Sequence, residues 1–392
     1  MVLRKSVKSL QNVVNEVMSW LEVDTVTASA YSQARYKLKH TAFIELNQKA
    51  VVGTLYGGAH YRTFWGFRIL AVDGSKLRLP DSDDVYKVFG TIAYSNGKSE
   101  EEGGKHPYAL ASVLFDVLNR VSLDAALGRA DAYEVDLAVS HLSYTRQWDL
   151  LVLDRNYPSY RMLGELIQRK RAFVIRCSAA SFGVARKMLK GEGADSQIVT
   201  LTPCAEQAPV IRSLGLPVAL TVRFVRVRLS TGEWEVLVTS LLDETLYPNA
   251  GFLELYYLRW GVETFYGLIK TRLELENFSG TGAEAVRQDF HSTVYLCGLE
   301  SLLTDSAQAQ LDAKEVRYPQ KVNRAVSFNA IKNEALSLLL RSDLEVKPLL
   351  AKLTELFLTN PCLERKQRNP PRLNSSAKKL LNFHKRKKKH CF

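Results

Sequence analysis

Leu255-Tyr-Tyr-Leu-Arg-Trp-Gly-Val-Glu-Thr-Phe-Tyr-Gly-Leu-Ile-Lys270 is the stretch on which the reading of this chain turns. Wound as a helix at about 100° per residue, it brings Tyr256, Arg259, Glu263 and Lys270 within about 60° of one another. One stripe then carries a phenol, a guanidinium, a carboxylate and an ammonium. Leu255, Leu258, Val262, Phe265, Leu268 and Ile269 give the other faces enough apolar surface to dock on a core. A lone carboxylate flanked by cations on a docked helix suits a site that holds a metal and phosphates together. The competing reading is an amphipathic helix whose charged stripe is simply solvated.

Upstream, Phe67-Arg-Ile-Leu-Ala-Val-Asp73 reads as an apolar strand that closes on an aspartate before Gly74-Ser75. A polar, glycine-rich stretch through Glu100-Glu-Glu-Gly-Gly104 reads as a loop. Tyr108 to Asp116 and Val121 to Leu127 read as a hairpin joined at Leu118-Asn119-Arg120. Asp131-Ala-Tyr-Glu134 has the capping-box pattern and predicts a helix running to about Arg146. Asp149-Leu-Leu-Val-Leu-Asp154 is a second strand closing on an aspartate. Pro158 then opens a helix over Ser159 to Arg169, and Ala172 to Cys177 is a fifth strand. The order β-β-β-α-β-α-β, with helical crossovers before the last two strands, predicts a mixed sheet with helices on its faces.

Between Cys177 and the opening stretch, Gln197 to Leu201 reads as a strand. Val218 to Leu229, a turn at Ser230-Thr-Gly-Glu233, and Trp234 to Leu241 then predict a long antiparallel hairpin. Residues 1 to about 60 read as helices, the first with the apolar repeat Val7, Leu10, Val13, Val14, Val17, Met18, Leu21. Arg35, Lys37, Lys39 and His40 cluster there. Such a helical trio is either a helix-turn-helix-like DNA reader or a cap packed on the next domain. Ala283 to Leu303 and Ala325 to Phe357 also read as helical.

A chain of 392 residues, 46% apolar and 24% charged, has the composition of a globular protein with room for two or three domains. No apolar run reaches the length of a membrane span, and the N-terminal Met1-Val-Leu-Arg-Lys-Ser-Val-Lys8 lacks the apolar block of a secretory signal. The five cysteines are scattered without a Cys-x2-Cys pair and read as reduced thiols of a cytosolic protein. His291 and Cys297 read as packing residues. The net charge of +12 is uneven: eleven Lys or Arg and no Asp or Glu fall between Arg365 and Phe392, which leaves +1 for the rest. Such a tail suits nonspecific phosphate contact, or serves as a disordered solubilising end.

The spacing Tyr-x2-Arg-x3-Glu-x6-Lys resembles the YREK signature of bacterial insertion-sequence transposases of the DDE type, the insertion sequence four family. The resemblance spans about Phe67 to Gly280. It implies a ribonuclease-H-like α/β fold, a mixed sheet flanked by helices and interrupted by an all-β insertion, with helical N- and C-terminal regions. The domains it implies are 1–60 (helical), 61–177 with 245–310 (catalytic), 178–244 (insertion), 311–360 (helical) and 361–392 (basic tail). In that fold the first and fourth strands are neighbours, so Asp73 and Asp154 would meet at one end of the sheet. With Glu263 they would form the catalytic carboxylates, holding two Mg²⁺ ions (or Mn²⁺), with Asp73 bridging both.

The same resemblance implies that Arg259, Lys270 and Tyr256 contact DNA phosphates. In hairpin-forming relatives a tryptophan placed like Trp234 stacks on a flipped base; a Trp packed within the hairpin is the alternative. Arg155 would touch DNA or brace the metal site. The implied partner is double-stranded DNA, terminal inverted repeats and target, bound by a homodimer on the bacterial nucleoid. A nuclease that cuts without joining, and a catalytically inactive DNA-binding protein of the same fold, are the competing functions. One departure stands out: relatives follow the second aspartate with Arg-Gly-aromatic, whereas here it is Asp154-Arg-Asn-Tyr157.

Overall fold

The computed structural model describes residues 2–3, 8–58, 60–93, 105–229, 231–340 and 345–364. The Glu100–Gly104 stretch and the basic tail from Arg365 lie outside the described residues. The chain divides into two compact units, residues 1–55, 78–108 and 269–392, and residues 56–77 and 109–268.

The first unit opens with α1 (Leu10–Trp20), where Ser9 caps by accepting from the Asn12 amide and Val13, Val14 and Val17 are buried. Next come α2 (Ala28–Lys37), capped by Thr27, and α3 (Thr41–Leu46). A π-turn over Asn47–Val52 leads from α3 into α4 (Gly53–Gly57). Of the four basic residues noted in this region, Arg35 pairs with Asp289 at 3.0 Å and donates to Gln288 and Ser279. His40 pairs with Glu284, also at 3.0 Å. Those two are engaged inside the unit, while Lys37 and Lys39 are exposed.

The second unit is built on β1 (Arg68–Arg78), whose Ile69 to Val72 are fully buried, as a central strand requires. The chain then passes through α5 (Asp83–Phe89) and β2 (Thr91–Ala93), both of the first unit. It returns as the hairpin β3 (Lys105–Asp116) and β4 (Val121–Arg129). After α6 (Glu134–His141) come β5 (Asp149–Leu153), α7 (Tyr160–Gln168) and β6 (Ala172–Cys177). The strands lie side by side as β4-β3-β1-β5-β6, with β5 parallel to both β1 and β6. The first and fourth predicted strands are therefore neighbours, and the sheet is the mixed, ribonuclease-H-like one expected.

The insertion carries α8 (Gly183–Leu189), β7 (Ser196–Leu201), α9 (Ala208–Ser213), β8 (Leu220–Arg228) and β9 (Trp234–Thr239). Its strands do not stand apart. β9 pairs antiparallel with β6, and the order β6-β9-β8-β7 lengthens the same sheet. The predicted β8–β9 hairpin forms, with Arg228 opposite Trp234. Two short helices, α10 (Gly251–Tyr257) and α11 (Trp260–Gly267), follow. Phe252 and Leu255 of α10 are buried against Ile69, Leu150, Val174, Val225 and Leu237 of the sheet. Each such side chain contributes about 1.5–3 kcal/mol on full burial.

The opening stretch is thus not one continuous helix. Leu258 and Arg259 amides donate back three residues, to Leu255 and Tyr256 carbonyls, so the helix tightens and breaks. The break lies where Gly261 backs onto Val117; a Cβ there would fall 3.1 Å from the Val117 Cβ. A π-turn over Leu268–Arg272 then changes the phase again, so the uniform helical spacing does not reach Lys270.

The first unit closes with α12 (Ala283–Asp312), β10 (Gln320–Val322), α13 (Arg324–Leu340), α14 (Val346–Thr359) and β11 (Pro361–Leu363). His291 and Cys297 are buried on α12, and His291 stacks on His40 with ring centroids 5.4 Å apart. No described helix is long and apolar enough to cross a membrane.

Candidate active site

The site starts from strand register. β1 and β5 run parallel with Ala71 level with Val152. Carried two residues further, the same register brings Asp73 level with Asp154. Asp73 lies within β1, and Asp154 is the first residue beyond β5. Asp154 Oδ1 accepts from the Asn156 amide at 2.8 Å, and the Tyr157 amide donates to the Asp154 carbonyl at 3.3 Å, which closes a tight turn. Asn156 does not have positive φ. The turn places no demand for glycine there, so the Asn of the departing motif is accommodated without strain.

Glu263 reaches this end of the sheet on α11. Three residues on, the Tyr266 hydroxyl lies 3.0 Å from the Asp73 carbonyl and 3.1 Å from the Ala111 carbonyl, tying α11 to β1 and β3. Phe265 packs on Phe115 with centroids 4.9 Å apart. Glu263 Oε1 accepts from Arg259 Nη2 at 2.7 Å. The Arg259 guanidinium is buried, which works against its charge, but Tyr256, Glu263 and Asp154 outweigh that and hold its pKa up. A charged arginine thus stands among the acids.

A fourth carboxylate, missed from sequence, joins them. The capping-box pattern at Asp131–Glu134 is not used as a cap: the residue before α6 is Tyr133, with no side-chain capping bond. Glu134 instead accepts from the Tyr157 hydroxyl at 2.8 Å and lies over Gly74, where a Cβ would fall 2.4 Å from Glu134 Oε1. Burial comes first, and the negative charges of Asp154, Glu134 and Glu263 follow, in pushing the Asp73 carboxyl up to about 7, against the pull of Arg259. The sequence signal for Glu134 was its residue type alone, since the contacts that place it come from Gly74, inside β1, and from the turn after Asp154.

Two buried polar atoms here have no hydrogen-bond partner, the Tyr256 hydroxyl and Arg259 Nε. Burial pushes the Tyr256 hydroxyl pKa up, with Arg259, Glu235, Arg176 and Asp154 as its charged neighbours. Glu235, at the start of β9, is buried and paired with Arg176 at 2.7 Å. Beside it Trp234 is 37% exposed, with the Arg226 guanidinium 4.8 Å and the Arg228 guanidinium 5.5 Å from its ring centroid. Its indole is therefore a partly open face between two cations, not a core side chain. Arg155 is exposed on the turn after Asp154. Lys270, half-buried on the π-turn, belongs to the first unit.

Carboxylate oxygens are the hard donors that a divalent cation such as Mg²⁺ or Mn²⁺ takes. Among the described residues, however, no three of His, Cys, Asp or Glu stand close enough together to hold an ion at once. The Arg259–Glu263 pair is a physical reason, since it commits one carboxylate oxygen to a guanidinium. A Ser–His–Asp geometry occurs elsewhere in this unit: His141 Nδ1 is 2.6 Å from Asp124 Oδ2, and Nε2 is 3.0 Å from Ser112 Oγ. Ser112 and His141 are wholly buried, so no substrate reaches that hydroxyl. It is a polar bolt joining α6 to β3 and β4.

Residues 65–297 match the Transposase DDE domain family. The chain belongs to that family. It is 25% identical over 253 residues to "Transposase InsG for insertion sequence element IS4" of Escherichia coli (strain K12), an alignment covering 64% of this chain. The chain spans about half of that relative's length, 54%. Among solved structures it is similar to a piggyBac transposase synaptic complex with hairpin DNA, at 9% identity and a TM-score of 0.40, over 79% of this chain and 60% of that one.

Proposed function

We propose that this protein cuts and joins DNA at the terminal inverted repeats of an insertion sequence. The observation that supports this best is the parallel pairing of β1 and β5, whose register, carried two residues past Ala71 and Val152, would bring Asp73 level with Asp154, together with the Tyr266 bond that fastens the Glu263 helix to Asp73. Asp73, Asp154 and Glu263 are the carboxylates that would hold two divalent ions, Mg²⁺ or Mn²⁺. Bound there, two such ions would stabilise the attacking and leaving oxygens of an in-line displacement at phosphorus. Water attacking the phosphodiester at the element's end forms a P–O bond as the P–O3′ bond breaks, which frees a 3′-hydroxyl. That hydroxyl then attacks the opposite strand or target DNA in the same manner. No covalent link to the chain is needed, so no Ser, Tyr or Cys nucleophile is required.

Arg259 offers a planar fork and Lys270 a point charge to phosphates near the cut end. Tyr256 would lend its unpartnered hydroxyl to the same DNA backbone. The exposed indole of Trp234, flanked by Arg226 and Arg228, suits stacking on a base flipped from the duplex. Exposed Arg155 would add a backbone contact. Pairing two DNA ends makes a homodimer on double-stranded DNA the natural assembly.

A strand-transfer assay with Mg²⁺ and the flanking inverted repeats tests this reading. Joined product that disappears on Asp73→Ala, Asp154→Ala and Glu263→Ala, each alone, is the expected result. Nicking without joining would indicate a nuclease of the same fold, and no reaction with any divalent ion would indicate a DNA-binding protein without catalysis.

A further inference from the structure

We propose that the start of β5 and β6 carries a second nucleic-acid surface, a platform for single-stranded DNA made by Arg146, Trp148, Lys170 and Arg171; that the strand is DNA rests on the function proposed above. The platform stands at the opposite end of these parallel strands from Asp154, about 17 Å away along the five residues of β5. Two loops build it, 145–148 before β5 and 169–171 before β6. Arg171 ties them together. Its Nε donates to Thr145 Oγ1 at 2.7 Å, Nη2 to the Thr145 carbonyl at 2.9 Å and Nη1 to the Arg169 carbonyl at 2.6 Å. All three acceptors are neutral, so they leave the guanidinium charge uncompensated. Arg146 and Lys170 are exposed, and among the described residues neither has a carboxylate partner. The acids flanking the two loops are engaged elsewhere: Asp149 is buried in a pair with Arg68, and Glu165 pairs with Arg169.

Between these cations Trp148 is 70% exposed, while the Arg68 amide holds its carbonyl at 3.1 Å. An open indole among cations without counter-charges complements a strand that offers phosphates and unstacked bases. Lys170 supplies an independent sign. It closes α7 in the left-handed region, φ 55°, its amide donating to Ile167 and that of Arg171 to Leu166, both at 2.9 Å. Glycine closes a helix this way without strain, so a lysine there keeps a cation at some cost in stability. The alternative is that Lys170 only complements the negative end of α7 and that Trp148 is a single exposed side chain.

Fluorescence anisotropy of a labelled oligothymidine of about 16 nucleotides, titrated with the full chain in chelator, separates the two. Lys170→Gly should bind several-fold more weakly, with a salt slope lower by about 0.7, yet melt at or above the native temperature; a lysine serving only the helix end would lower the melt and spare binding. Trp148→Ala should bind about fivefold or more weakly. Native affinity in both variants would overturn the platform and leave the contacts proposed for Trp234 and Arg259 standing. A loss confined to duplex DNA would overturn the assignment to a single strand. A sedimentation mass that falls in Trp148→Ala would overturn the platform in favour of an interface with a second copy. No binding by the native chain would overturn both this surface and the DNA reading. Should Trp148→Ala fail to fold, Lys170→Gly and Arg146→Gln decide.

Discussion

Asp73 makes the metal-free protein less stable as pH rises, and the size of that effect follows from the site. Burial and the charges of Asp154, Glu134 and Glu263 raise its folded pKa from 3.8 to about 7. Between those values the native chain holds a proton that the unfolded chain has released. Unfolding therefore becomes easier as pH climbs from about 4 to about 7, and levels off above that. The displacement corresponds to about 4 kcal/mol at about 1.36 kcal/mol per pKa unit, an upper figure because water reaching the partly exposed carboxyl screens it. Asp73→Asn removes the titration while keeping the shape of the side chain. Urea unfolding of both proteins at pH 5 and pH 8 in chelator gives the comparison, and other titrating groups cancel in the difference. The native chain should lose up to about 2.6 kcal/mol more than the variant between the two pH values, the share of that displacement falling above pH 5. Saturating Mg²⁺ should restore the native chain at pH 8 and leave the variant unchanged, since a bound cation favours the ionised carboxylate. A difference between the two proteins that stays constant across the pH range would refute the reasoning.

Two further outcomes follow from the helix that carries Glu263. Tyr266→Phe deletes the hydroxyl that meets the Asp73 and Ala111 carbonyls and should cost about 1–3 kcal/mol, seen as a melting temperature lower by several degrees; an unchanged melt would mean α11 is not fastened there. Arg259→Ala frees the Glu263 carboxylate from its ion pair, so Mn²⁺ should bind several-fold more tightly while DNA-end affinity falls; equal or weaker Mn²⁺ binding would show that the guanidinium does not compete for the acid.

What the sequence could show here depended on how local the controlling interactions are. The strands β1, β5 and β6 were legible because they are continuous apolar runs, and Pro158 marked the start of α7, which Ser159 then caps. The β8–β9 hairpin was legible for a similar reason, its strands lying on either side of a short turn. The docking of β9 onto β6 was not, because no local pattern encodes which edge a hairpin will find. Asp73 and Asp154 stood out as acids at strand ends, yet their adjacency came from the parallel pairing of strands some eighty residues apart. Glu134 shows the limit most clearly. Its sequence neighbours give the pattern of a helix cap, but the hydroxyl of Tyr157 and the bare backbone at Gly74 draw the side chain into the acid cluster. The uniform helical spacing that grouped Tyr256, Arg259, Glu263 and Lys270 failed for a related reason. Gly261 lets the chain press against Val117, the helix breaks just before it, and the π-turn shifts the phase before Lys270. A motif read as four residues on one stripe is, in the folded chain, three residues gathered across a helix break and a fourth on another unit. The signature therefore specifies the residue types of a site more directly than it specifies one helix face, and the geometry that unites Arg259 with the acids is set by packing the motif does not contain.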